Sequence, residues 1–273
     1  MSAVRVDRFG VASQDDWIET PAVQKAYAHL TQTAALRSVM LLSGPNGIGK
    51  SVLAGRWLRR LDERLFHPLC LTQATLSGSG VLGSLAAKLG KPVSFRRERN
   101  LQLIEEALQE LERRILVLIL DEAQNFAHAT LEEVRLLLGL NLPQAPAFAL
   151  VLIGDEYLLG SLKLRSHRAL YSRLAWQMHL PPWTGAQCTQ YLAGALQAVG
   201  LSAQIIEPAA TELLGSASGG LPRSLNLLAR AAWIDAATQG AQKISAAHVQ
   251  SALQTVPCVP GLGAPPPVQD SQP

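Results

Sequence analysis

The run Gly44-Pro45-Asn46-Gly47-Ile48-Gly49-Lys50-Ser51 sets a glycine, four residues and then Gly-Lys-Ser. This is the spacing of a loop that wraps phosphate. Glycines permit positive backbone angles and close main-chain approach, so successive N–H groups can converge on phosphate oxygens. Lys50 is long enough to reach β- and γ-phosphates, and the Ser51 hydroxyl can ligate Mg2+. The flanks agree with this reading. Val39-Met40-Leu41-Leu42 reads as a short buried strand before the loop. After it, Val52, Leu53, Trp57, Leu58, Leu61 and Leu65 recur at helical spacing. A strand, a glycine loop and a helix N-terminus together make an anion site, so the stretch is expected to bind a nucleotide.

A second constellation lies downstream. Ile115–Leu120 is a continuous apolar run ending in Asp121-Glu122-Ala123-Gln124-Asn125. Such a run fits a strand buried on both faces of a parallel sheet. Its acids then fall at the carboxyl edge, where α/β folds bind ligands. Asp121 would hold Mg2+, directly or through water, and Glu122 would orient and polarise an attacking water.

These residues need a scaffold, and 273 residues at 48% hydrophobic and 16% charged can bury a sizeable core. Net charge is only +3, so bulk electrostatics do not announce nucleic acid; the basic residues are mostly arginine, suited to bidentate phosphate contacts. Cys70, Cys188 and Cys258 are widely spaced, which argues against a metal pair or a disulfide framework. Apolar runs are too short to span a bilayer and the first residues lack a signal-peptide core, so a cytoplasmic protein is expected.

In chain order, residues 1–36 are a polar lead-in and a helix starting at Thr20-Pro21, and residues 37–182 alternate strands and helices. Strands are expected at 67–71, 148–153 and 176–180, and helices at 81–89 and from Leu101 to Leu111. The pattern Thr130-Leu131-Glu132-Glu133 reads as a capping box opening another helix. Arg96, Arg97 and Arg99 form a short basic cluster, and Lys163, Arg165, Arg168 and Arg173 a second. Each can be a solvated charged face or a phosphate-contacting one. Residues 183–255 read as four helices, the first opened by a Thr184/Gln187 capping box; 256–273, rich in proline, are expected to be disordered.

Together the phosphate loop, ILVLILDEAQN and the later GGLPRSLNLL resemble an AAA+ ATPase. The closer resemblance is to the bacterial group of general-secretion-pathway A ATPases and transposon target-selection ATPases. It spans about Thr20 to Leu253. The fold it implies is a P-loop NTPase αβα sandwich with a parallel sheet, plus a small C-terminal all-helical lid. It implies an ATP hydrolase, with Lys50 and Ser51 as the Walker A pair and Asp121 and Glu122 as the Walker B pair. Gly44, Pro45, Asn46, Gly47, Ile48, Gly49, Lys50, Ser51 and Val52 would then surround ATP, with Ser51 and Asp121 on Mg2+. Arg223 of Gly220-Leu221-Pro222-Arg223 matches the lid arginine that senses the γ-phosphate. Arg173, with Arg168 in reserve, matches the arginine finger supplied to a neighbouring subunit. Asp155 departs from the family, which usually has a neutral polar residue there; its carboxylate must be protonated, turned away or metal-bound to avoid repelling phosphate. The expected role is a DNA-associated regulator of transposition or integration, working as an ATP-dependent homo-oligomer on duplex DNA with a transposase- or integrase-type partner. The alternatives are a secretion-type ATPase, whose relatives usually add a membrane span and a wall-binding domain, and a nucleotide-gated switch with little turnover.

Overall fold

The computed structural model describes residues 18–72, 78–140 and 146–256. The polar lead-in before residue 18 and nearly all of the tail expected to be disordered lie outside the described residues. The chain divides into two units: Thr20–Gly44 with Lys50–Leu180, and Met1–Glu19 with Pro45–Gly49 and Pro181–Pro273.

The first unit is built on one sheet of five strands, β1 (Val39–Ser43), β2 (Phe66–Leu71), β3 (Ile115–Leu120), β4 (Ala149–Gly154) and β5 (Leu174–His179). Their order in space is β2-β3-β4-β1-β5, and every neighbouring pair is parallel. The composition of the strands explains their places. β1 and β4 are buried at every position and β3 at all but its first, as central strands covered on both faces require. Alternate side chains point to opposite faces. Leu41, Leu118, Leu150 and Leu152 pack with Leu82, Leu85, Ile104 and Val134. The intervening Met40, Leu42, Ile119 and Ile153 are also buried. Each such leucine or isoleucine contributes about 1.5–3 kcal/mol by leaving water.

Helices cover the sheet: α1 (Pro21–Ala35), α2 (Lys50–Leu58), α3 (Gly78–Lys88), α4 (Arg97–Glu110), α5 (His128–Leu138), α6 (Tyr157–Lys163) and the single turn α7 (Arg168–Tyr171). The Thr20 side chain caps α1 by accepting the Val23 N–H at 3.2 Å, with proline in the first turn where no donor is missed. Trp57, fully buried on α2, donates to Thr31 Oγ1 of α1 at 3.1 Å.

Two local expectations are corrected. α2 stops at Leu58, so Leu61 and Leu65 are not on it. Asp62 draws the chain into a turn, its side chain accepting the Arg64 N–H and its carbonyl those of Leu65 and Phe66. The capping box at Thr130 does not form either. α5 begins at His128 after Ala127, and Thr130 is buried within its first turn. The acids the box would use are engaged elsewhere: Glu133 takes a bidentate bond from Arg97 and Glu132 one from Arg135.

The second unit holds α8 (Gly185–Ala198), α9 (Pro208–Ala217), α10 (Pro222–Thr238) and α11 (Ala246–Thr255). Their apolar stripes meet around Leu192, Leu214, Leu225, Leu228, Trp233 and Val249, with Ile18 packed among them. The Thr184/Gln187 capping box is formed as the spacing predicts. Gly220, in the left-handed region at φ 71°, lets the turn before α10 press on Trp183. The Trp183 N–H donates to the Gly220 carbonyl at 2.9 Å, and a side chain at Gly220 would run into the Trp183 backbone.

Candidate nucleotide-binding site

Because the strands are all parallel, their carboxyl ends share one edge. Gly44 follows β1 there, Asp121 follows β3 and Asp155 follows β4. Ser43 is in register with Gly154, and Leu120 with Leu152. Four chemistry-bearing residues from distant parts of the chain, Lys50, Asp121, Glu122 and Asp155, therefore line one rim within the first unit.

The loop after β1 has the backbone its glycines allow, with φ 89° at Gly47 and 102° at Gly49, both costly for residues with a Cβ. Lys50 opens α2 and is only 5% exposed. Its Nζ donates to the Gly44 carbonyl at 2.7 Å, across the mouth of its own loop. The cation is thus held in the loop. Ser51 and Val52 are exposed at the same helix start.

Asp121 is half-buried; its N–H donates to Leu71 at 3.0 Å, and its Oδ1 accepts the Glu122 N–H at 2.9 Å. Glu122 has φ 53°, a left-handed conformation that costs a non-glycine residue about 1–3 kcal/mol. It turns the chain sharply off the sheet and leaves the carboxylate exposed. Nearby, burial first and the Asp121 charge second push the Cys70 thiol above its ordinary range, with Lys88 opposing.

The Asp155 carboxylate is engaged by the helix that follows it. Its Oδ1 accepts the N–H groups of Tyr157 and Leu158 at 3.0 and 3.1 Å, capping the start of α6. Sequence reasoning missed Gln124. Its Nε2 donates to Glu122 Oε2 at 2.6 Å, and its Oε1 accepts the Asp155 N–H at 3.2 Å.

Residues 34–162 match the family model described as an AAA domain. The structure resembles Cdc6p of Pyrobaculum aerophilum with a TM-score of 0.73 and 20% identity, over 92% of this chain and 70% of that one. It resembles ORC1 of Aeropyrum pernix, solved in complex with DNA, with a TM-score of 0.69 and 20% identity over 92% and 69%. ORC2 of the same organism, solved as ADPNP-ADP complexes, gives 0.68 and 18% over 90% and 71%. The fold is that of the AAA+ ATPases. In sequence, the chain is 28% identical over 212 residues to general secretion pathway protein A of Aeromonas hydrophila. That match takes in 75% of this chain but spans 38% of the relative's length.

The remaining candidates are the arginines of this AAA+ fold. Arg223 belongs to the second unit, as does Gly47. The Arg223 N–H donates to the Gly47 carbonyl at 3.2 Å, and a Cβ on Gly47 would come within 3.0 Å of Arg223 Cβ. Gly47 thus supplies both the turn and the room for this arginine, which is exposed as a whole.

Arg173 immediately precedes β5, whose first residue pairs with Val39 at the start of β1. It therefore sits at the amino edge of the sheet, one strand length (about 17 Å) from the rim that carries Lys50. Its Nη1 donates to the Ala169 carbonyl at 2.9 Å, while Arg168 is exposed. Beside them the Nδ1 atoms of His128 and His167 lie 3.3 Å apart, tying α5 to the segment before α7. Burial, then the His128 charge, holds the His167 pKa below its ordinary value, with Glu132 opposing. In the first basic cluster Arg97 pairs with Glu133 at 2.8 Å and Arg99 with Glu106 at 3.6 Å, while Arg96 is exposed. Among the described residues, Lys163, Arg165 and Arg168 are exposed and make no ion pair.

No group of three or more potential metal ligands of the His, Cys, Asp and Glu types occurs among the described residues. No described helix is long and apolar enough to cross a membrane.

Proposed function

We propose that the chain binds ATP with Mg2+ and hydrolyses it between subunits of a homo-oligomer, and that the assembly regulates transposition or integration on duplex DNA. The observation that carries the chemical part is the shared rim: a buried lysine whose ammonium is held on the Gly44 carbonyl, on the same sheet edge as Asp121 and Glu122. These residues fit the group they would hold. The Ser51 hydroxyl is exposed at the helix start, and Asp121 keeps one carboxylate oxygen clear of its Oδ1 hydrogen bond. Mg2+, when bound, neutralises charge on the phosphate oxygens.

Each residue then has one task. The N–H groups from Gly44 to Val52 and the Lys50 ammonium hold the phosphates. Glu122 orients the attacking water and accepts its proton. Arg223 is the arginine proposed to sense the γ-phosphate. Arg173 stabilises transferred charge in the neighbouring subunit's site. The trans assignment is supported by its place at the opposite sheet edge, out of reach of its own Lys50.

Mixing variants tests this assignment. Arg173→Ala should lower turnover about a thousandfold with ATP binding nearly unchanged, and adding Lys50→Ala protein should restore part of the activity. One protein brings the intact pocket and the other the intact finger. No rescue by mixing, with monomers in ATP by light scattering, would count against action in trans; normal turnover in Arg173→Ala with loss in Arg168→Ala would transfer the role to Arg168.

The DNA reading is supported by the exposed cluster Lys163, Arg165 and Arg168, which makes no ion pair among the described residues, whereas Arg97 and Arg99 are ion-paired. The resemblance to a DNA-bound ORC1 agrees with it. An ATP-driven oligomer would repeat this cluster along a duplex, and an integrase-like transposase is the protein partner proposed for it. Binding to random-sequence duplex should then weaken steeply with salt, each phosphate contact contributing about −0.9 to the slope of log affinity against log salt. Replacing the three residues by alanine should flatten that slope. No binding at low salt with ATP, ADP or no nucleotide would move the second reading to first place. That reading, a motor acting on a secretion complex, is favoured by the 28% identity to general secretion pathway protein A.

A further inference from the structure

We infer that Gln124 is a positioning residue for water activation, fixing the Glu122 carboxylate to the end of β4. The inference rests on the ATPase reading proposed above and deepens it.

The geometry has one consistent assignment. Ionised Glu122 only accepts hydrogen bonds and the Asp155 backbone N–H only donates. The Gln124 amide must therefore turn its NH2 to Glu122, at 2.6 Å, and its oxygen to Asp155, at 3.2 Å. Both ends of the amide are engaged, so its orientation is locked. Donation to a carboxylate is a charge-assisted bond, stronger than one between neutral groups. It occupies Oε2 of Glu122 and leaves the other oxygen for the water.

The surroundings are shaped for this bridge. Ala123, between Glu122 and Gln124, is fully buried and anchors the turn in the core. A Cβ at Gly154 would stand 2.7 Å from Gln124 Oε1, so the absence of a side chain there gives the amide its space. Asp155 is itself fixed by capping α6. Glu122 alone would be an exposed, rotatable carboxylate on a strained turn. With Gln124 it is held against two neighbouring strand ends, and a base held in place is what general-base catalysis needs.

Two substitutions separate donation to Glu122 from a plain tether on Asp155. Gln124→Glu keeps the shape and an acceptor for Asp155 but cannot donate. Gln124→Met keeps the approximate shape and removes both bonds. The expected result is a fall in kcat of about tenfold or more in both, with KM for Mg-ATP within about twofold of wild type in Gln124→Met. Amide hydrogen exchange at Asp155, measured without nucleotide, should quicken in Gln124→Met and stay unchanged in Gln124→Glu. Wild-type kcat in Gln124→Met, or a loss there that Gln124→Glu restores, would overturn the inference. Glu122→Gln is measured beside them. If it is inactive while the Gln124 variants turn over normally, only the inference fails. If Glu122→Gln itself turns over like wild type, the ATPase reading fails with it.

Discussion

Replacing Glu122 with glutamine is expected to lower ATP turnover by about a hundredfold or more, the range of a lost general base, while ATP binding is retained. The amide has almost the shape of the carboxylate but cannot take a proton from water. Its effect on folding should be small, because the side chain is exposed and bonded to Gln124, a polar group that also reaches Asp155. A loss of turnover that came with a loss of binding would point to a collapsed loop rather than a missing base.

Lys50→Ala has the second large effect, and it falls on affinity. Lys50 is buried with its Nζ on the Gly44 carbonyl, so the cation is already oriented before nucleotide arrives. Hydrogen bonds from a charged group contribute about 1.5–3 kcal/mol each. Losing two phosphate contacts should weaken ATP binding by about a hundredfold or more. Isothermal titration with Mg-ATP reads this directly. The variant should still fold, since β1 and α2 are held by Leu41, Leu53 and Trp57, which are fully buried independently of the lysine.

Which features were legible in the sequence follows from the range of the interactions behind them. The phosphate loop was legible because its chemistry is local: spacing, glycines and a following helix. β3 was legible because six apolar residues in a row have few other homes, and the Thr184 capping box because it closes within four residues. The Thr130 box has the same spacing and does not form, because the helix starts at His128 and takes Thr130 inside its first turn. Glu133 is paired instead with Arg97, far off in sequence. The same ion pair removed Arg97 from the cations offered to DNA. The sequence marked Asp155 as a departure, but not the α6 N–H groups that its carboxylate accepts. Gln124 carried a faint local signal, a polar residue two positions after Glu122. Its bridging depends on β4 lying beside β3, which the order of residues along the chain does not declare.

The central claim is that one rim binds ATP through Lys50 and hydrolyses it through Glu122. The most direct measurement is the identity of the nucleotide that stays bound. Wild type, Glu122→Gln and Lys50→Ala proteins are incubated with labelled ATP and Mg2+, stripped of free nucleotide on a desalting column, and the retained label is separated by chromatography. The account predicts ADP on the wild type, ATP on Glu122→Gln and almost no label on Lys50→Ala. ADP on Glu122→Gln in the wild-type proportion, or label on Lys50→Ala equal to the wild type, would contradict it.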